Sequence, residues 1–524
     1  MNKAADHLSF DMALERYKEV KGRTFRSNES DTLLQDYHPD YAADQTTKLN
    51  IGVNKGEHCV TELASVLQAD SPLESKSIST EEFVDVLVIG GGGAGCVAAL
   101  SAAETGSNVL IATKLKLGDS NTVMAEGGIQ SVVNSEDSIQ QHFTDTIQSS
   151  YFRAEKEVTA KMIQNGPESI RWLIELGMKF DTDDDGNLLV RKGGGATFSR
   201  VVYFKDYTGL ELMRVLRSAL SQSSISVLNH TPVVELLSDN GRCTGAVLLD
   251  LESRTLKIIR AKSVILATGG SGRVHINNFP TSNHIGATAD GLSLAYRLGA
   301  KLRELDSFQY HPTGIIYPES LAGTLVTEGL RSAGACLLNA QGERFVDELK
   351  SRDIVSAAII RECENGRGVE LSSTVKGVWL DTPELEKNKP GILKNQFPKL
   401  MSLAKNNIIN PTKDPILVYP TLHYQNGGIC IDVNGESTVP GLYSTGEVSG
   451  GVHGKNRLMG NALLEVISLG RVTGKHAAIT AKDVDYGEVG FSHLDKWRSE
   501  RQQLCKDNNE VAPKLFPTYF NFRY

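Results

Sequence analysis

Val84-Asp-Val-Leu-Val-Ile-Gly-Gly-Gly-Gly-Ala-Gly95 is the stretch on which the reading of the chain turns. Val84, Val86, Leu87, Val88 and Ile89 make a short apolar run of the kind buried on both faces of a parallel sheet. Glycines then interrupt it. Gly90, Gly92 and Gly95 keep the G-x-G-x-x-G spacing: the first permits a tight turn, the second lets backbone approach a pyrophosphate, and the third lets the next helix pack close to the strand. Cys96–Glu104 is alanine-rich and suits that helix, whose first N–H groups would face the phosphates. Gly106 ends it, and Asn108–Ala112 reads as a second strand. Strand, turn, helix and strand are the context the motif requires, so the sequence predicts a bound dinucleotide.

Working outward, 524 residues are too many for one simple core, and two or more domains are expected. A formal charge of -8 argues against nucleic acid as the main partner, and any anionic substrate must then be met by a local cluster of cations. No run of apolar residues is long enough to span a bilayer, and the start leads into no apolar signal region. The seven cysteines are scattered and form no C-x-x-C pair, which predicts reduced thiols, a cytoplasmic location, no metal site and no iron–sulfur cluster within the chain.

Residues 1–80 are polar, with helical patterns at Phe10–Val20 and Cys59–Leu67, and read as an extension that wraps the main body. Small residues and paired glycines in Gly118–Ile129 predict backbone pressed against a flat ligand. Residues 138–150 and 155–177 carry helical periodicity, closed by Gly177. A helix is expected at Leu210–Leu220, capped by Thr208 or Asp206. Val227, 232–237 and 244–250 read as strands. Ala261–Ser271 reads as a strand ending in Ala-Thr-Gly-Gly, and Ala289-Asp290-Gly291 opens a further helix. From 306 to 414 the chain is polar and loop-rich. It returns to glycine-rich strands at Gly427–Asp432 and Gly441–Glu447. The expected fold is α/β, a discontinuous Rossmann-like domain at 81–305 and 415–480. An α+β capping domain is inserted at 306–414, and a short helical segment follows at 481–524.

Five separated motifs give the reading its specificity: His311-Pro-Thr-Gly314, Thr327-Glu-Gly-Leu-Arg331, Ser351-Arg-Asp-Ile-Val355, His423-Tyr-x-x-Gly-Gly428, and Gly446-Glu447 followed by Gly451-Val-His-Gly-x-Asn-Arg-Leu458. In these the chain resembles the flavoproteins of the fumarate reductase and succinate dehydrogenase family, which also holds L-aspartate oxidase. The resemblance covers about residues 82–480. It implies FAD as cofactor, held by Gly90, Gly92, Gly93, Ala94, Gly95, Thr113, Lys114, Ser120, Asn121, Thr122, Gly127, Gly128, Thr268, Gly269, Asp290, Glu447, Asn461, Leu463 and Leu464. It implies a small dicarboxylate gripped by His311, Thr327, His423 and Arg457. The flavin would deliver hydride to one alkene carbon. Arg352 would give the proton to the other, resupplied by Glu328 and Arg331, whose three-residue spacing puts them on one helical turn. A guanidinium acid is credible only if desolvated and promptly reprotonated. His453 would at least shape the loop before Arg457.

Three departures matter. Asn121 stands where membrane-complex members carry the histidine that bonds covalently to FAD, so dissociable FAD and a tilt toward fumarate reduction are expected. Ser332-Ala-Gly-Ala335 stands where many relatives have Gly-Glu-Gly-Gly. Some 45 residues follow the last FAD motif, so the helical region that often packs on an iron–sulfur subunit is expected to be shortened. The resemblance therefore implies an FAD-dependent fumarate reductase with no membrane insertion of its own. It would work alone or as a peripheral flavoprotein served by an electron-transfer partner subunit. L-Aspartate oxidase chemistry is the alternative within the fold. A non-catalytic flavin-binding electron-transfer subunit is the alternative outside it.

Overall fold

The computed structural model describes residues 9–19, 32–42, 45–73, 80–275, 279–407, 409–504 and 508–517. The run at Val84–Ile89 lies in a strand, Glu81–Ile89, exposed at its start and buried toward its end. It sits inside a seven-stranded sheet. On one side it pairs in parallel with Val109–Ala112, which pairs in parallel with Ser226–Leu228. On the other it runs parallel to the long strand Thr255–Leu266, in register from Ile258 opposite Glu81 to Leu266 opposite Ile89. The long strand divides its second edge. Its first half pairs antiparallel with Arg242–Asp250, and its last three residues pair in parallel with Leu442–Ser444. The chain therefore leaves this sheet after Leu266 and returns to it at Leu442.

Two glycines explain why the first strand ends as it does. Gly90 has φ +118, and a Cβ there would lie 2.3 Å from the Ala267 carbonyl oxygen. A Cβ on Gly95 would lie 2.0 Å from the Gly90 carbonyl oxygen. The turn and the helix Gly93–Ala103 that follows can only form this close to the sheet without side chains at those two places. The buried alanine and valine face of that helix joins the long helix Asn461–Lys482 in one apolar cluster with the sheet. The open ends of the parallel strands and the N-termini of both helices thus face one region, as the rule for open α/β sheets requires.

A second sheet is built from Phe308–Ile315, Ile416–Gln425, Lys376–Asp381 and Cys336–Leu338, all antiparallel, with Val369–Glu370 on a side edge. The helix Arg352–Glu364 packs on it, and their apolar side chains form a separate core. The strand Phe308–Ile315 is buried along its whole length.

Several local expectations are corrected. The helix read at 155–177 is two helices, Lys156–Gln164 and Gly166–Glu175, because Pro167 has no N–H to continue the ladder. Cys59 lies in a short strand, His58–Val60, and the helix begins at Thr61. Helix Thr208–Ser221 is not capped by Asp206. The Asp206 carboxylate instead accepts the backbone N–H groups of Lys399 and Leu400, both at 3.0 Å, and so caps the helix Pro398–Asn406. The Thr208 hydroxyl accepts the Phe204 N–H at 3.1 Å.

The described parts of residues 1–80 touch both sheets. Helix Phe10–Glu19 buries Ala13 and Tyr17, one turn apart, against Tyr317 and Trp379. The predicted helix end at Val20 lies outside the described residues. Leu33 enters the core beneath helix Arg352–Glu364. Asp40 accepts the Phe308 N–H at 2.8 Å. Asn54 donates to Ala300 O and accepts from Leu302 N. The C-terminal helix Ser492–Leu504 inserts Trp497 beside Tyr296, its indole N–H donating to Ala69 O.

Candidate active site

One cleft begins at the Gly90–Ala94 turn and ends among His311, Thr327, Glu328, Arg352, His423 and Arg457. Its first part is lined by backbone and small side chains. Gly92 is the cap residue of helix Gly93–Ala103, and the Gly93 N–H donates to Thr122 Oγ1 at 3.2 Å. Thr113, Ser120, Gly127, Gly128, Thr268, Gly269, Asp290 and Leu463 also line it. The cradle fits an extended dinucleotide: Cβ-free backbone at the turn, a helix N-terminus for phosphate, and a second N-terminus at Gly460 for the far end.

Four cofactor candidates are held differently from the simple expectation. Lys114 lines the cleft, but its ammonium is fixed by Asp290 at 2.8 Å, Thr288 Oγ1 at 2.7 Å and the carbonyls of Gly286 and Lys514. It therefore braces the wall. Gly95 lies behind the turn it permits. Asn461 points away from the cleft, with its amide bonded to His142 and Thr146. Leu464 is wholly buried in the apolar cluster under the long helix. From that helix it is Ala462, Leu463 and Val466 that face the cleft.

Asn121 and Glu447 form a hinge-pin between loops. The Asn121 amide donates to Asn283 Oδ1 and Glu447 Oε2, and its carbonyl accepts the His284 N–H at 2.6 Å. Glu447 also accepts the Gln425 N–H at 3.0 Å. Burial raises its pKa, and those two donors offset only part of the rise.

At the other end the charged groups converge. Gln309 Oε1 accepts from Arg352 Nη1 at 3.0 Å and from Arg457 Nη2 at 2.8 Å. Glu328 Oε2 accepts from Arg352 Nε at 2.8 Å and meets Arg331 Nη2 at 3.1 Å. Glu328 Oε1 accepts the Gly194 N–H at 2.7 Å. Burial alone would raise the Glu328 pKa, but the Arg352 and Arg331 charges prevail and hold it down at about 2. Arg331 stands behind Glu328, outside the cleft lining. Arg352 and Arg457 line this end of the cleft with Arg331 behind Glu328, so positive charge is in local excess. That excess suits a dianion stripped of water.

The histidines add donors without adding charge. His311 and His423 sit with ring centroids 5.2 Å apart. Burial first, and the neighbouring arginines second, push both pKa values well below the ordinary histidine range. His311 Nδ1 accepts the Thr313 N–H at 3.3 Å, so its proton lies on Nε2. His423 Nδ1 is tied to Ser282 at 2.8 Å. The Arg457 guanidinium lies 4.2 Å over the Tyr424 ring, and burial with repulsion from Arg352 lowers its pKa to about 10. The Tyr424 hydroxyl donates to Glu465 Oε2, which also meets His453 Nε2 at 2.9 Å. His453 thus acts behind Arg457 through Glu465 and Tyr424.

Gln309 escaped the sequence reading. Its signal was present: it precedes His311 by two residues in a strand, which places both on one face. Gly194 left a weaker trace, the unexplained run Gly193-Gly194-Gly195. Ser282 and Glu465 left none.

Fold and cleft together define an FAD-binding oxidoreductase of the discontinuous α/β class. Residues 85–463 match the FAD binding domain family. The 8-methylmenaquinol:fumarate reductase flavoprotein of Wolinella succinogenes is 36% identical over 446 residues, 82% of this chain and 71% of its own length. The fumarate reductase flavoprotein of Escherichia coli is 35% identical over 448 residues, 81% of this chain and 72% of its own. A solved quinol fumarate reductase variant from E. coli superimposes with a TM-score of 0.73 at 31% identity, covering 82% of this chain and 75% of that one. The chain belongs to the fumarate reductase and succinate dehydrogenase flavoprotein family, and is an oxidoreductase acting on CH–CH bonds. Among the described residues no helix is long and apolar enough to cross a membrane, and no group of metal-ligating side chains gathers.

Proposed function

We propose that the protein reduces fumarate to succinate, with Arg352 as proton donor and His311, Thr327, His423 and Arg457 as the grip on the two carboxylates. The observation that carries this reading is the meeting of Arg352 and Arg457 on Gln309 Oε1, which fixes two cations around one small volume beside two neutral histidine donors. FAD, when bound, supplies the hydride.

The chain's own work is then to bind, polarise and protonate. Arg457 and the two histidine rings hold the carboxylates, and the excess positive charge draws electron density from the double bond. Arg352 Nε is committed to Glu328 and Nη1 to Gln309, which leaves Nη2, without a hydrogen-bond partner among the described residues, to give its proton to the alkene carbon. Glu328, held at a pKa of about 2, does not rest protonated. It takes a proton from Arg331 only as it hands one to Arg352, so the relay moves as a unit.

The same reading assigns 81–305 and 415–480 to FAD and 306–414 to the substrate side, with the cleft at their junction. Asn121 can form no covalent flavin link, so the FAD is dissociable. The relatives named above are flavoproteins of fumarate reductases, and an electron-donating partner subunit fits this chain in the same way, with peripheral placement at a membrane through that partner. The test is direct. Holoprotein supplied with a reduced viologen dye should oxidise the dye on addition of fumarate and accumulate succinate. No oxidation of the dye, or peroxide formation from aspartate in air instead, would overturn the proposal.

A further inference from the structure

Helix Ile139–Ser149 is followed by two consecutive non-glycine residues in the left-handed region, Tyr151 with φ 55 and Phe152 with φ 58. Such a conformation is disfavoured for residues with a side chain and persists only where the surroundings enforce it. Here the backbone does so: Tyr151 N donates to Gln148 O and Phe152 N to Ile147 O. The strained pair aims the Tyr151 hydroxyl at Asp353 Oδ2, to which it donates. Asp353 is buried, follows Arg352 directly, and lies in the first turn of helix Arg352–Glu364.

The same segment grips the other side of the pocket. Glu155 N donates to Gly451 O at 2.7 Å, and Lys455 N donates to Ser150 O at 3.2 Å. Ser149 Oγ accepts from Asn456 Nδ2 at 3.3 Å, and Asn456 Oδ1 accepts from Gln309 Nε2 at 3.1 Å. One short stretch, 149–155, therefore touches the neighbour of Arg352, the neighbours of Arg457 and the partner of the amide that both arginines share. All but one of these links lie on the Arg457 side. The Tyr151 hydroxyl is the link to the Arg352 side.

We propose that Tyr151 is a positioning residue that sets Arg352 against Arg457 by anchoring Asp353 through its hydroxyl. The inference rests on the fumarate reading above, since it concerns the placement of the proton donor. Tyr151 touches no reacting group. It fixes the start of the helix from which Arg352 projects, and a small error in that placement is amplified in a proton transfer.

The test is Y151F in the holoprotein, which keeps the ring and removes the hydroxyl. Fumarate turnover by the dye assay should fall about 10-fold in kcat with KM changed less than about twofold and flavin content unaltered. D353A should slow turnover comparably, and Y151F/D353A should be no slower than D353A alone, because the two act through one bond. F152A, at a residue that is 70% exposed, is the control and should turn over as the unaltered protein does. A kcat for Y151F within twofold of the unaltered protein, additive losses in the double variant, or a joint loss of flavin, KM and kcat would overturn the role. If the unaltered holoprotein does not reduce fumarate, the functional reading fails by itself. The anchor is then read by hydrogen exchange, where Y151F should speed exchange of the amides at the start of helix Arg352–Glu364, and unchanged exchange would overturn it.

Discussion

Arg352 and Arg457 would repel each other if nothing stood between them. Gln309 Oε1 accepts from both, and Glu328 neutralises part of the charge behind. Replacing Arg352 with Gln keeps a donor of shorter reach but removes the proposed proton source and the charge. Turnover with fumarate should drop at least about 10³-fold while FAD stays bound, as measured by dye oxidation and by the flavin spectrum of the purified variant. Unchanged turnover would remove Arg352 from the mechanism. The neutral histidines give a second expectation. With pKa values pushed well below the usual range, His311 and His423 do not change charge between pH 6.5 and 8. The dissociation constant of succinate for the oxidised holoprotein should therefore stay level across that window. A histidine with an ordinary pKa near 6.5 would weaken dianion binding about tenfold for each pH unit above it. Glu328 is likewise held below its ordinary pKa, and its case bears on stability. Its folded pKa is depressed, so the stability it contributes is complete above the ordinary glutamate range and is lost progressively as pH falls from that range through about 2.

The strand, turn and helix at Glu81–Ala103 tolerate less than their length suggests. Gly95→Val would drive side-chain carbons into the Gly90 carbonyl, since the first of them alone would lie 2.0 Å from it. The helix must then move off the sheet, and the phosphate cradle opens. G95V should be isolated without flavin, which absorbance at 450 nm would show. A capping change is milder. Asp206→Ala leaves the N–H groups of Lys399 and Leu400 without their acceptor and should cost about 1–2 kcal/mol, read as a lower urea midpoint. These two cases show what the sequence made legible and what it hid. The Gly90–Gly95 element was readable because every residue it depends on lies within a few positions. Asp206 was misassigned because it sits just before one helix yet caps another that starts almost two hundred residues later. Gly194 and Glu328 meet across 134 residues, and no local pattern announces that bond. Asn461 is a different case. The helix start was legible, but which face of its first turn looks into the cleft depends on His142 and Thr146, which come from another helix.

The described parts of the first eighty residues tie the two sheets together, which gives them a consequence for the whole molecule. Asn54 is buried and satisfies the backbone on both sides of Lys301. The strand that follows, Leu302–Arg303, pairs with Gly428–Cys430, a few residues beyond His423. Farther toward the start of the chain, Tyr17 donates to Asp381 at 2.6 Å, and Phe10 stacks on Tyr317 with ring centroids 4.3 Å apart. Both partners belong to the second sheet or its edge, and neither belongs to the flavin cradle. Asn54→Ala should leave two buried backbone groups unpaired and cost about 2 kcal/mol, a fall visible in the urea midpoint with flavin still bound. Removing residues 1–42 should act elsewhere. It uncovers Trp379 and the core under Leu33, so the second sheet should loosen first. Limited proteolysis should then cut within 316–415 before the flavin is released, and fumarate turnover should fall while the 450 nm absorbance persists. Release of flavin at the first cut would mean that the extension braces the cradle rather than the substrate side. The Asp40 bond to Phe308 N, at the head of the strand that carries Gln309 and His311, points the other way. It places the extension's hold one residue from the amide on which the two arginines meet.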